Sequence, residues 1–235
     1  MQIIADLHTH TLSATHAFNT LDEMAAKAAA LGYAALAITD HGPAMPDAPH
    51  MWHFANQTAL PLVLHGVAMM YGAEANVMDT NGGLDFAQSR LRALDWVVAS
   101  IHSPCIPGLL TEKEATRLWL AVAENPYVDC IGHSEQENYR YDYDLVTKAF
   151  AANHKVVELN GKVYTKGIFP YMDIYLDELA IPVAWIMTKE IYPGALQKSV
   201  EAYEKAYELD GNNQKTAEKV NEGLKQAYDE YSKTG

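Results

Sequence analysis

Short apolar runs alternate along the first 160 residues with segments whose apolar positions recur every three or four places. That alternation predicts βα units arranged around a parallel sheet. Seven runs read as strands: 3–7, 34–39, 67–72, 96–101, 127–131, 155–159 and 181–186. The helix after the first is the best marked. Thr20 and Glu23 have capping-box spacing, Met24, Ala28 and Leu31 share one face, and Gly32 supplies the stop. Further helices are expected near 85–94, 111–124, 142–153 and 172–180. The fold class is therefore α/β, a β/α barrel over residues 1–195. In such barrels functional groups belong at the carboxyl ends of the strands. Those ends carry His8, His41, Glu74, His102, His133, Asn160 and Thr188.

Residues 196–235 have a different texture. Leu196, Val200, Tyr203 and Tyr207 recur at helical spacing, as do Val220, Leu224, Ala227 and Tyr231, with a break at 210–213. The prediction is a charged helical hairpin packing on the barrel or capping it. Residues 202–213 resemble the second helix and turn of a tetratricopeptide repeat. A single copy buries no continuous face, so a solenoid does not follow.

Composition narrows the partners. At 235 residues the chain can bury one full core, and its net charge of −13 argues against bulk attraction to nucleic acid or anionic membranes. Cys105 and Cys130 lack disulfide or zinc-knuckle spacing, which fits a reducing compartment. No apolar run approaches the ~20 residues of a membrane span, and residues 1–7 do not read as a signal peptide. A soluble, cytoplasmic protein without a membrane partner is expected.

The histidines change the picture most. His8 and His10 lie two apart, so in a strand both project to one face and can serve one ion. His16 follows on the next loop. A lone histidine behind an apolar run is more often a core or surface residue than a ligand. The ordered set, with His-x-His first and Glu74 between His41 and His102, points to a polynuclear metal site. Imidazole nitrogens with one carboxylate suit zinc first, then manganese or iron, ahead of calcium and magnesium. Glu74 has two oxygens with which to bridge two cations. Paired metals lower the pKa of bound water toward ~7, so metal-bound hydroxide would serve and no side-chain nucleophile is required. His65 and His154 read as surface, and Met69, Met70 and Trp96 as strand residues of the core.

Four segments, Asp6-Leu7-His8-Thr9-His10-Thr11, residues 37–43 around Asp40-His41, Gly72-Ala73-Glu74-Ala75-Asn76 and Ile131-Gly132-His133, resemble the polymerase and histidinol phosphatase (PHP) superfamily. Ala14-Thr15-His16-Ala17 and residues 47–54 resemble its bacterial phosphatase subgroup with a three-metal site. The resemblance implies a distorted seven-stranded β/α barrel that holds two to three divalent transition metals and hydrolyses phosphate esters. It gives His8, His10 and Glu74 to one metal, and Glu74, His102 and His133 to a second. His16 and His41 go to a third, with Asp40 orienting a histidine ligand. His50 and His53 match a lid-like loop and are expected to contact substrate. The favoured substrate is a small phosphate monoester rather than a polynucleotide, since no basic tract is present.

The chain departs from the family near the end of the barrel. Thr188 stands where the family's last strand carries a metal-binding Asp, and Glu190 stands where it carries a His. Glu190 retains a ligating carboxylate; the neutral Thr188 is a poor substitute. Ser134-Glu135-Gln136-Glu137 replaces a Pro-Gly-Asn turn, with Glu135 or Glu137 as compensating carboxylates. The alternative expectation is a catalytically impaired metal- or phosphate-binding protein. A metal-dependent amidase or deaminase is disfavoured, because no bridging lysine or final-strand Asp stands out.

Overall fold

A computed structural model describes residues 5–106, 108–159 and 183–186, with backbone alone at Glu137, Leu159 and 183–186. The strands are β1 (Ala5–Thr9), β2 (Ala35–Ile38), β3 (Val63–Leu64), β4 (Val67–Asn76), β5 (Trp96–Ser100), β6 (Cys130–Ile131), β7 (Val156–Leu159) and β8 (Val183–Ile186). The helices are α1 (Leu21–Ala30), α2 (Met51–Asn56), α3 (Gln88–Leu91), α4 (Glu112–Ala123) and α5 (Tyr143–Ala152). Seven strands run parallel in the order β1-β2-β4-β5-β6-β7-β8. The sheet curls until Cα atoms of β8 come within 8 Å of β1, with no ladder joining them among the described residues. The expected α/β class and seven-stranded parallel sheet are observed, the sheet curled as a half-barrel. Thr188, Glu190, the expected helix at 172–180 and the hairpin at 196–235 lie outside the described residues.

Local chemistry explains most of the elements. Thr20 caps α1 by accepting from the Glu23 backbone N–H, while the Glu23 side chain returns to the Thr20 backbone. Thr111 and Glu114 repeat the arrangement at α4. Both capping boxes satisfy N–H groups that the helix itself leaves unpaired. Where β4 passes β5, a Cβ on Gly72 would lie 1.8 Å from the Trp96 carbonyl oxygen, so only glycine permits that approach.

Strand bounds shift, as at β6, which keeps only Cys130–Ile131 of the expected 127–131, and three further differences have a local cause. The extra strand β3 forms a hairpin onto β4 through His65 and Gly66, which both take positive φ, at 51° and 80°. Two successive positive φ values suit the tight turns that match strand twist. The segment read as a loop at His50–Phe54 contains α2, with the His50 ring capping it by accepting from the Trp52 N–H. The helix expected over 85–94 shrinks to Gln88–Leu91. Asp85 is the natural cap, but its carboxylate is committed to the Asn76 and Ala44 backbone amides and the Asn76 side chain.

The largest apolar cluster lies under α4 and α5. Trp119, fully buried, meets Phe150 and Tyr141 edge-on at ring separations of 6.0 and 6.2 Å. Met69, Met70 and Trp96 are core residues, as expected. Trp119→Ala is expected to cost ~3–5 kcal/mol, read as a lowered urea midpoint. An unchanged midpoint would mean that this cluster does not hold α4 and α5 to the sheet. No helix among the described residues is long and apolar enough to cross a membrane.

Candidate metal centre

The site is built around Glu74. Its residue is fully buried on β4, and its backbone is pinned on both sides: the N–H donates to the Asp40 carbonyl at 3.1 Å, and the carbonyl accepts from Gly42 at 2.8 Å. Its two oxygens face different histidines. Oε2 lies 3.2 Å from His8 Nε2, 3.3 Å from His10 Nε2 and 3.0 Å from His41 Nε2. Oε1 lies 2.8 Å from His133 Nε2 and 3.3 Å from His102 Nε2. Five imidazoles from the ends of four strands therefore converge on one carboxylate.

The opposite nitrogens of most of these rings are held from behind. His8 Nδ1 contacts Glu158 at 2.9 Å, His102 Nδ1 contacts Asn76 Oδ1 at 2.7 Å, and His133 Nδ1 meets the Gln136 amide at 2.9 Å. His41 Nδ1 lies 3.1 Å from Asp47, whose other oxygen bonds His16 Nδ1. Such partners fix ring orientation and tautomer, as they do around metal-ligating histidines. His133 takes a positive φ of 28°, a strained conformation at the end of β6, and its N–H donates to Glu158. Strain of this kind gathers where function demands a fixed side chain.

The donor set fits a cation. Among the described residues, His8 Nε2 and Glu74 Oε2 are buried without a hydrogen-bond partner, an unfavourable arrangement that a cation between them would relieve. Three groups place their ligand atoms within 4.8 Å of one another: His8, His10 and Glu74; His41, Glu74 and His102; and His16, His41 and Asp47. Burial opposes ionisation of Glu74, yet His8, His102, His133 and His41 hold its pKa well below the ordinary value. Burial likewise opposes charge on His8, but Glu74 and Glu158 raise its pKa well above the ordinary value. His41 and His133 are raised against burial chiefly by Glu74. Burial dominates at His10, which falls to about 4 and so keeps a neutral ring at neutral pH.

Of the residues singled out in the sequence, His8, His10, His41, Glu74, His102 and His133 come together. His16 stands at the edge, over half exposed and in contact with Asp47. Asp40 takes a different partner from the expected ligand histidine. It accepts from the Thr11 N–H and hydroxyl, and lies 3.0 Å from His53 Nε2, without hydrogen-bond alignment. His50 sits at the start of α2 against Trp52. His65, read as solvated, is exposed but pairs with Asp22. In the altered turn after His133, Gln136 reaches the histidine ring, its amide 2.9 Å from Nδ1.

Asp47, Asn76, Gln136 and Glu158 escaped the sequence reading. Two of them carried a signal. Asn76 is two residues beyond Glu74 on one strand, hence on the same face, and Glu158 is a charge inside an apolar run.

The PHP domain family model matches residues 6–191. The chain belongs to the PHP family. A probable phosphatase of Acetivibrio thermocellus is 45% identical over 161 residues, covering 68% of this chain and 66% of that protein. One of Photobacterium profundum is 42% identical over 161 residues, covering 68% of this chain and 65% of that protein. These two matches each span just under two thirds of the relative's own length. A third, from Aliivibrio fischeri, is 37% identical over 76% of this chain and 72% of that protein. The PHP fold is also that of a histidinol phosphate phosphatase from Lactococcus lactis, whose crystal structure holds zinc, L-histidinol and phosphate. It aligns with a TM-score of 0.54 at 16% identity, over 88% of this chain and 94% of that one.

Proposed function

We propose that this PHP protein is a metal-dependent phosphoesterase that hydrolyses a small phosphate monoester. One observation carries the reading: Glu74 turns one oxygen toward His8, His10 and His41 and the other toward His102 and His133. A buried carboxylate divided in this way suits two divalent transition metals, zinc first and manganese or iron next. His16 and His41 are assigned to a third ion, with Glu190 as a further ligand. Bound there, the ions would supply positive charge for phosphoryl oxygens and acidify water. The chain's own residues do the rest. Glu158, Asn76, Gln136 and Asp47 hold the imidazoles in orientation, while Asp40 holds the loop after His10. His50 and His53, on the segment above Asp40, are assigned to substrate contact.

The probable phosphatases among the relatives and the phosphate ester acted on by the Lactococcus protein support this class of substrate. The charge of −13 supports a small molecule over a polynucleotide, and a cytoplasmic setting goes with the two free cysteines. The test is elemental analysis of the purified protein together with p-nitrophenyl phosphate hydrolysis. Metal at one or more equivalents with metal-dependent hydrolysis is expected. A protein that stays metal-free after reconstitution and is inert would overturn the proposal.

A second reading, an impaired metal- or phosphate-binding member, rests on Thr188, which removes the anionic oxygen that the family uses at that position.

Metal retention should depend on pH in a particular direction. An imidazole must shed its proton to ligate, and His8, His41 and His133 have pKa values raised above the histidine norm. Protons therefore compete for these nitrogens at higher pH than for free histidine, near 6.5. Zinc affinity, measured by chelator competition, should already weaken as pH falls from 8 to 6.5, with further loss toward 5. Affinity flat across that range would count against ligation by these rings.

A further inference from the structure

We infer that Glu158 is the positioning residue that joins the two halves of the Glu74 cluster, through one oxygen shared by a ligand from each. This rests on the proposed metal site and deepens it. Glu158 Oε2 lies 2.9 Å from His8 Nδ1 and also accepts from the His133 backbone N–H at 2.9 Å. His8 faces Glu74 Oε2, and His133 faces Glu74 Oε1. A single acceptor thus sets a ring from the first group and a backbone from the second.

Three independent features are consistent with that role. Glu158 is buried on β7, while His8 is on β1, and these strands share no ladder among the described residues. The contact is therefore a strut across the inside of the curled sheet rather than a by-product of strand pairing. His133 is held at a positive φ of 28°, which its donation to Glu158 helps to maintain. The residue before it is glycine, and a Cβ there would come 2.3 Å from Ser100 Oγ and 3.4 Å from the same Glu158 oxygen. Ser100 and Val98 leave room at 132 only for a residue without a side chain, and the Glu158 oxygen stands at ordinary contact distance from that position.

The chemistry follows from donor and acceptor counting. With His8 Nδ1–H committed to Glu158, its Nε2 lone pair is free for a cation. With the His133 N–H committed to the same oxygen, its ring is carried toward Glu74. Gln136, in contrast, touches only the His133 ring in this cluster and donates otherwise to the Ile101 carbonyl. Loss of Glu158 should disturb both halves, and loss of Gln136 only one.

The experiment counts chelator-resistant zinc per chain in the full-length protein and three variants. Wild type should hold at least two ions. Glu158→Ala should lose two of them, and Gln136→Ala at most one. Glu158→Gln should keep the wild-type count, because its amide oxygen can still accept both hydrogen bonds. A folded Glu158→Ala that loses one ion or none overturns the inference. So does a folded Glu158→Gln that loses as much as Glu158→Ala. A wild type that holds only one zinc overturns this inference, and one that binds none overturns the metal reading as well. Should Glu158→Ala fail to fold, long-range 1H–15N spectra of the zinc-loaded wild type decide the matter. His8 must carry its proton on Nδ1, and a proton-free Nδ1 overturns the inference.

Discussion

Glu74→Gln should strip the folded protein of all but one tightly held metal ion at most, and slow p-nitrophenyl phosphate hydrolysis by roughly two powers of ten or more. The change keeps the side chain's volume and removes its charge. One of the two oxygens becomes an NH2 group facing imidazole nitrogens 2.8 to 3.3 Å away, and an amide nitrogen does not ligate a cation. Both halves of the cluster lose their common anion. Several kcal/mol of transition-state stabilisation depend on correctly held cations, and each ~1.4 kcal/mol is a factor of ten in rate. Elemental analysis and steady-state rates measure the two effects separately. A variant with the wild-type metal count would show that Glu74 is not the bridging ligand.

The opposite kind of change should improve the protein. Thr188→Asp combined with Glu190→His restores the pair that the PHP resemblance places at the end of the last strand. We expect the double variant to gain one metal equivalent and about a tenfold or greater rise in turnover, a conservative bound given the several kcal/mol at stake. The position of β8 agrees with this alignment, since Val183–Ile186 pairs in parallel with β7 and approaches β1. A gain in neither property would mean that residues 187–190 do not follow β8 into the site. Full activity in the wild type would instead dispose of the impaired reading.

Strands were legible where an apolar run was long enough and cleanly bounded, as at β2, β4 and β5. Their ends then located His41, Glu74 and His102 without any knowledge of contacts. What the sequence hid was set by competition between distant groups. The start of α3 moved because Asp85 was drawn to Asn76 and Ala44. α2 was missed because a histidine, rather than Ser, Thr, Asp or Asn, supplies its cap. β3 was too short to show, and its turn uses His-Gly in place of the usual Asn-Gly or Asp-Gly. The residues behind the rings were hardest to find. His8 and Glu158 are 150 positions apart, and nothing in the local pattern of either one names the other.

The cage around Glu74 has one rigid wall and one yielding wall. Glu74 stands inside β4 with both its backbone groups tied to the end of β2, whereas the side chain of His16 is 57% exposed and held by Asp47 alone among its described hydrogen bonds. Exchange of a smaller ion for a larger one lengthens every metal–ligand bond, and a fixed carboxylate has no room to retreat. The adjustment must fall on the outer ring. With metals bound as proposed, discrimination between ions of different radius would be set at the rim, by how far His16 and Asp47 can give way, while the centre would set how many ions are held.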